Sequence, residues 1–455
     1  MIKVSVIIPV FNVQNYLRQC LDSLVNQTLK DIEIICINDC STDGSLAILK
    51  DYAANDERIV IVDNENNIGA AQSRNMGIQI AKGKYLSILD SDDFCDPSFL
   101  ETVYQRCSSE NADLGIYDFA KYDNVSKRVT HYQTSLYFSY LLRDKVFGFE
   151  RINEQAFQIW SCAPYTKMYK RSFVLDCGIE FQDLKNANDV YFGYVILTQA
   201  RKMIYIESAS PLYFYRVNVS TQTSNNRAKH PRCTWEALMA IRKTLMEKGV
   251  FESCSRSFHS NAVSSLMYSL HCIDDEHRKA LYNFLYFEGL EKLGMTNCSE
   301  ENFISRYEFM RYECLRSGDF QKISDRHMAA SMYVGNPETG TLFEFLKSRG
   351  YRCGLWGVGL FGMAFYNACE TFDFSLSCII DEDIGKADTQ IDKYVVRPFN
   401  RSKDEIDAVI VTNTHFSKEI FNIIKRTNRE IKLIDADAFC RLGLPIDECV
   451  FEAVD

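Results

Sequence analysis

Tyr85-Leu86-Ser87-Ile88-Leu89-Asp90-Ser91-Asp92-Asp93 passes from apolar to acidic within a single short segment. The apolar part, bounded by Gly83 before and Pro97 after, fits a strand buried on both faces. The acidic part sets three carboxylates within four residues. Like charges at that spacing repel, and they persist where a hard divalent cation with a preference for oxygen ligands shares their charge. Parallel α/β sheets take ligands just beyond the carboxyl ends of their strands, so position and chemistry agree. Taken alone, the same residues also fit an acidic turn in which Asp92 or Asp93 caps a short helix near Pro97.

The upstream sequence separates the two. Residues 4 to 10, Val-Ser-Val-Ile-Ile-Pro-Val, read as a buried strand running into Phe11-Asn12, followed by a helix with Leu17, Cys20, Leu21 and Leu24 at helical spacing. A second strand, Ile32 to Ile37, leads into Asn38-Asp39-Cys40-Ser41-Thr42-Asp43-Gly44-Ser45 and a helix to about Ala54. A third, Ile59 to Val62, precedes Asn66-Asn67-Ile68-Gly69 and a helix carrying Arg74 and Asn75. This alternation with short connections predicts an α/β domain with a parallel-type sheet and flanking helices. Each strand ends in polar residues, and in such a sheet those ends share one edge and line one cleft. The residue types suit a nucleotide there. Phe11 offers a stacking face, Asp39 an acceptor for a pyrimidine N3–H, Arg74 a cationic fork for phosphate, and the carboxylates a hold on ribose and metal. Gly69, at a helix start, would let the backbone approach the ligand.

The four pieces VSVIIPVFN (4 to 12), INDCSTDGS (37 to 45), NNIGAAQSRNMGI (66 to 78) and SILDSDD (87 to 93), in that order and spacing, strongly resemble the family 2 glycosyltransferases of the GT-A fold. The resemblance covers roughly the first 220 residues. It implies that Pro9, Phe11, Asp39, Asn67, Arg74, Asp90 and Asp92 bind a nucleotide-sugar, that Asp90 and Asp92 form the Asp-X-Asp pair, and that Asp92 is the direct ligand of Mn²⁺ or Mg²⁺. Phe11 stands where Tyr is commoner and Asn38 where a second acid is common.

Further on, Ala163-Pro-Tyr-Thr-Lys167, Phe181, Asn188-Asp189 and Tyr213-Phe-Tyr-Arg216 with Ser220 resemble the family's acceptor half. There the Asp of a Glu-Asp pair at a helix start is the catalytic base. The resemblance thus implies Asp189 as base, with Asn188 in place of the Glu; the residues alone also allow Asp189 simply to complement a helix dipole. Lys167 and Arg216 are expected as phosphate or acceptor contacts, or equally as structural ion pairs. Residues 132 to 149 are expected to form an acceptor-side loop or helix.

Past a polar break at Asn225, residues 231 to about 335 read as helices, the first capped by Thr234 and ended by Gly249. After Gly340 the alternation resumes. Gly357, Gly359 and Gly362 fit GxGxxG, and Asp381 lies at the distance expected of a ribose-binding acid, so 341 to 455 reads as a Rossmann-like α/β domain with a candidate dinucleotide site. The expected domains are therefore a GT-A domain (1 to 224), a helical connector region (225 to 340) and the Rossmann-like domain (341 to 455).

The composition is compatible with this division. At 455 residues the chain exceeds one ordinary core, and its formal net charge of −10 argues against a nucleic-acid partner. The 17 cysteines are scattered, mostly in apolar runs and without zinc-site spacing, and read as reduced core thiols. The opening residues enter a strand directly and no long apolar run occurs, which predicts a soluble, cytoplasmic protein. Peripheral association with the inner face of the membrane and homo-oligomerisation are both compatible with the sequence.

The expected activity is an inverting, metal-dependent transfer from a nucleoside-diphosphate sugar, UDP by resemblance, to a glycan or lipid-linked acceptor hydroxyl in bacterial surface-polysaccharide synthesis. Three rivals differ by feature. A sugar-nucleotide pyrophosphorylase needs a Gly-rich loop where this chain has Pro9-Val-Phe-Asn. An NAD-dependent carbohydrate oxidoreductase would use the C-terminal glycines, and a non-catalytic nucleotide-sugar-binding protein would release no diphosphate.

Overall fold

Four apolar runs become the parallel strands β1 (Val4–Val10), β2 (Ile32–Asn38), β3 (Ile59–Asp63) and β4 (Tyr85–Ile88) in a computed structural model of the chain. The structure describes all residues except 133–137, 139–140, 144, 209, 220–226, 324–332, 334–335, 384–385, 428–429, 443 and 453–455. Ser220, the break at Asn225 and part of the stretch 132 to 149 lie outside the described residues. Every residue of β2 and β4 is buried, as runs without polar alternation require.

These strands lie in an eight-stranded sheet of order β3-β2-β1-β4-β10-β6-β11-β9, with β6 Leu114–Tyr117, β9 Val146–Phe147, β10 Lys167–Lys170 and β11 Met203–Ile206. β10 runs antiparallel between β4 and β6, so the sheet is mixed rather than purely parallel. A small second sheet, β5-β12-β7-β8, comprises Phe94–Cys95, Tyr213–Val217, Phe119–Asp123 and Val129–Tyr132. Helices α1 (Gln14–Val25), α2 (Ser45–Asn55), α3 (Gly69–Ile80), α4 (Phe99–Glu110) and α5 (Val190–Gln199) follow in chain order. Leu17, Cys20, Leu21 and Leu24 form the buried face of α1, as their spacing predicts.

Helix α6 (Cys233–Glu247) starts one residue before the expected cap. Thr234 is inside the helix and buried, and its hydroxyl accepts from Ser269 at 2.9 Å, so a tertiary hydrogen bond replaces the capping role. The chain divides into two compact units, one of residues 1–133, 139–258 and 268–281, the other of 134–138, 259–267 and 282–455. The second unit holds a seven-stranded sheet of order β15-β16-β14-β13-β17-β18-β19, with β13 Cys353–Trp356, β14 Cys378–Ile380, β15 Gln390–Ile391, β16 Tyr394–Arg397, β17 Ala408–Val411, β18 Lys432–Asp435 and β19 Val450–Glu452. From β16 to β18 all pairings are parallel. All 17 cysteines are free thiols, and Cys272 alone among them is exposed. No described helix is long and apolar enough to cross a membrane.

Candidate active site

The loops after β1 and β2 are stitched to each other by short polar side chains. Asn12, at φ +52°, accepts the Thr42 N–H at 2.8 Å, while Ser41 and Ser45 accept the N–H groups of Asn12 and Val13 at 3.2 and 3.0 Å. Asp43 takes the N–H of Gln14 at 3.1 Å and that of Ser45 at 2.9 Å, opening α2. The effect is to leave Phe11 47% exposed at the strand end, with an aromatic face open to solvent. Pro9 precedes it within β1, paired in register with Ile37.

Asp39 is buried and accepts the N–H groups of Ile68 and Gly69, each at 2.8 Å, and the Asn64 amide at 3.1 Å. A carboxylate has about four acceptor positions, so one remains for a ligand donor. Gly69, at φ +87°, makes the turn into α3 that brings these two N–H groups onto one carboxylate. Asn67 donates to the Asp39 carbonyl at 3.2 Å. The helix start expected to face a ligand is thus held by Asp39, and the two sequence pieces form one structure.

One turn into α3, Arg74 is buried and forked. Its Nη2 donates to Asp90 Oδ1 at 2.8 Å and its Nη1 to Asn188 Oδ1 at 3.0 Å, while the guanidinium lies over the Phe181 ring at 5.4 Å. Asn75 holds Phe181 from both sides: its Nδ2 donates to the Phe181 carbonyl at 3.0 Å and its Oδ1 accepts the Phe181 N–H at 2.9 Å. The strand-end carboxylates and the residue before Asp189 therefore meet across a single side chain.

The carboxylates themselves differ. Asp93 is fully enclosed, accepting the Tyr213 hydroxyl at 2.6 Å and the Arg216 N–H at 2.7 Å; burial, then Asp92 and Asp90, hold its carboxyl well above the usual range. Burial first, and Asp90 second, raise Asp92 to about 6, and it has no ion-pair partner among the described residues. Among the described residues no group of three or more His, Cys, Asp or Glu could hold a metal ion unaided. A mostly buried carboxylate whose pKa is raised by burial and a neighbouring acid despite the nearby Arg216 does fit a cation completed by ligand phosphates, as Mg²⁺ is commonly bound.

Arg216 and Lys167 are both held inside the protein. Arg216 lies beneath the cluster in a box of Tyr16, Phe94 and Tyr122, at 5.1, 5.4 and 5.1 Å, and donates to the Asp92 carbonyl at 2.6 Å, Asn124 at 3.0 Å and Gln19 at 2.8 Å. Lys167 is wholly buried and donates to the carbonyls of Ser161 and Ala163 at 2.6 and 3.3 Å and to the Thr166 hydroxyl at 3.1 Å. Its burial lowers its pKa to about 8. Both side chains are buried and hydrogen-bonded within the protein.

Asp189 stands at the N-terminus of α5, where its backbone carbonyl accepts the Gly193 N–H at 2.8 Å but its side chain makes no capping hydrogen bond. Gly193 brings α5 close to the Lys167 loop: a Cβ there would sit 1.9 Å from the Cys162 carbonyl oxygen. Asn75 and Asn188 are the functional partners that sequence reasoning assigned no bonding role. The adjacency of Asn75 to Arg74 was the available signal.

In the second unit, Gly357 takes φ +96°, and a Cβ at Gly362 would meet the Gly357 carbonyl oxygen at 2.0 Å, so the glycines let the helix Leu360–Thr371 approach the strand end. Gly359 is extended with open space around it. Asp381 accepts the Val358 N–H at 3.1 Å and the Asp383 N–H at 2.9 Å and pairs with Lys386 at 3.2 Å, so its carboxylate braces the glycine loop.

A family model described as Glycosyl transferase family 2 matches residues 5–178. Glycosyltransferase GlyA of Streptococcus pneumoniae serotype 4 is 34% identical over 221 residues, covering 47% of this chain and 30% of GlyA. Glycosyltransferase GlyG of the same organism is 31% identical over 219 residues, covering 47% of this chain and 70% of GlyG. Among solved structures, S. aureus TarS 1-349 in complex with UDP-GlcNAc is similar at a TM-score of 0.45 and 18% identity, over 82% of this chain and 91% of that one, a likeness too distant to assign chemistry.

Proposed function

The chain belongs to glycosyl transferase family 2, and from that membership we propose that it transfers a sugar, with inversion, from a nucleoside diphosphate to an acceptor hydroxyl. UDP is the proposed nucleotide and a bacterial surface polysaccharide, or its lipid-linked precursor, the proposed acceptor. The observation that carries this reading is the Arg74 bridge, which joins Asp90 of the carboxylate cluster to Asn188 beside Asp189.

In this reading Phe11 stacks on the base and the remaining acceptor position of Asp39 takes the pyrimidine N–H. Asp92, with Asp90 beside it, holds Mn²⁺ or Mg²⁺, which when bound supplies positive charge to the leaving diphosphate. Asp189 removes the acceptor proton as the hydroxyl attacks the anomeric carbon from the face opposite the diphosphate. The absence of a side-chain cap at Asp189 supports this role, because it leaves the carboxylate unused by its own helix. Residues 341–455 are read as a Rossmann-like unit, supported by their central parallel strands, and as outside the chemistry, because every residue assigned to transfer in this reading precedes them.

The test is a panel of nucleotide sugars incubated with the chain and Mn²⁺ or Mg²⁺, with nucleoside diphosphate release measured. Metal-dependent release is expected from at least one UDP-sugar. Tight UDP binding without release from any donor would leave a non-catalytic binding protein, and NAD turnover without release would leave the oxidoreductase.

A further inference from the structure

The residue at 188 uses both ends of its amide. Its Oδ1 accepts from Arg74 at 3.0 Å, and its Nδ2 donates to the carbonyl of Leu184 at 3.4 Å, across a turn that places Ala187 at φ +53°. A carboxylate in the same place would keep the first bond and lose the second, because an ionised acid has no donor. Asn75 likewise uses donor and acceptor together, on the two backbone groups of Phe181. Phe181 in turn stacks on Phe192 of α5, with ring centroids 4.0 Å apart and planes 15° from parallel. Two amides and one guanidinium therefore tie the segment leading to Asp189 to two consecutive residues of α3. The same guanidinium holds Asp90.

We propose that Asn188 and Asn75 are positioning residues that hold Asp189 in register with the carboxylate cluster, Asn188 through Arg74 and Asn75 through Phe181. This rests on the reading of Asp189 as general base. Neither amide needs to touch the substrate. Their contribution is to limit the excursions of a helix start whose own side chain makes no cap, and a displacement of about 1 Å at a reacting group can lower a rate by about 10²-fold. The amide at 188 also has an electrostatic consequence. It adds no second negative charge beside Asp189, and Asp90 is the one acid paired with Arg74 among the described residues.

The experiment compares wild type with Asn188→Leu, which keeps the volume and removes both bonds, and Asn188→Asp, which keeps the acceptor for Arg74 alone. For each, donor turnover, donor KM, UDP affinity with Mn²⁺ and melting temperature are measured. Asn188→Leu is expected to lower kcat by about 10- to 10²-fold with donor KM and UDP affinity within about twofold of wild type, and Asn188→Asp to fall between the two. If Asn188→Leu does not fold, Asn188→Asp alone decides, with the same split expected at smaller size. A kcat per folded molecule near wild type, with only the melting temperature lowered, overturns the proposal in favour of a purely structural amide. A parallel loss of kcat and donor affinity overturns it too, placing the Arg74 link on the donor. A wild-type chain that releases no diphosphate from any donor refutes the underlying reading, and this inference falls with it.

Discussion

Burial and Asp90 raise the Asp92 carboxyl to about 6, so between about pH 4 and 6 the folded chain holds a proton that the unfolded chain has released. Stability without a divalent cation should therefore fall as pH rises through that window and stay lower above it. Asp92→Asn removes the ionisation. In chelator it should match wild type at pH 4 and exceed it at pH 7 by about 2 to 3 kcal/mol, read from denaturant unfolding at both values. Asp189→Asn bears on the chemistry instead. Losing general-base assistance should lower turnover by about 10² to 10⁴ with UDP affinity unmoved, and near-normal turnover with a lowered melting point would remove Asp189 from the mechanism. Asp90, Asp92 and Asp189 were legible because an acid at the end of an apolar run, or at a helix start, is visible along the chain. The partners of Arg74, and the enclosure of Arg216 and Lys167, were not. They depend on residues up to 197 positions apart being brought together, which no local spacing encodes.

At the scale of elements, apolar runs and polar strand ends located β1 to β4 almost to the residue. The direction of β10 was not legible, since a buried run has the same composition whether it pairs parallel or antiparallel. The loop before Lys167 runs against α5. There Gly193 allows a backbone contact that no other residue would permit. Gly193→Ala should destabilise the first unit by about 1 to 3 kcal/mol through overpacking against the Cys162 carbonyl, measured as a shift in denaturant midpoint with an unchanged slope. A shift below about 0.5 kcal/mol would mean that the loop retreats freely.

For the whole molecule, every residue proposed for transfer lies in the first compact unit, and the glycine loop lies in the second. Gly359 has an extended backbone and open space, so Gly359→Val should fold, obstruct any ligand approaching that loop, and leave donor turnover within about twofold of wild type, since surface changes of this kind are usually near neutral. Loss of turnover in the folded variant would show the units to be coupled. The division into units was only partly legible, because residues 259–267 group with the C-terminal unit while their sequence neighbours on either side do not. The burial of the thiols offers a practical handle. With Cys272 the one exposed thiol, eleven buried and Cys40, Cys162, Cys177, Cys298 and Cys314 half-buried, brief treatment with a maleimide dye should label Cys272 first, and peptide mapping over time would check it. A chain rich in cysteine then carries, without any engineering, a preferred first point for a fluorophore or spin label.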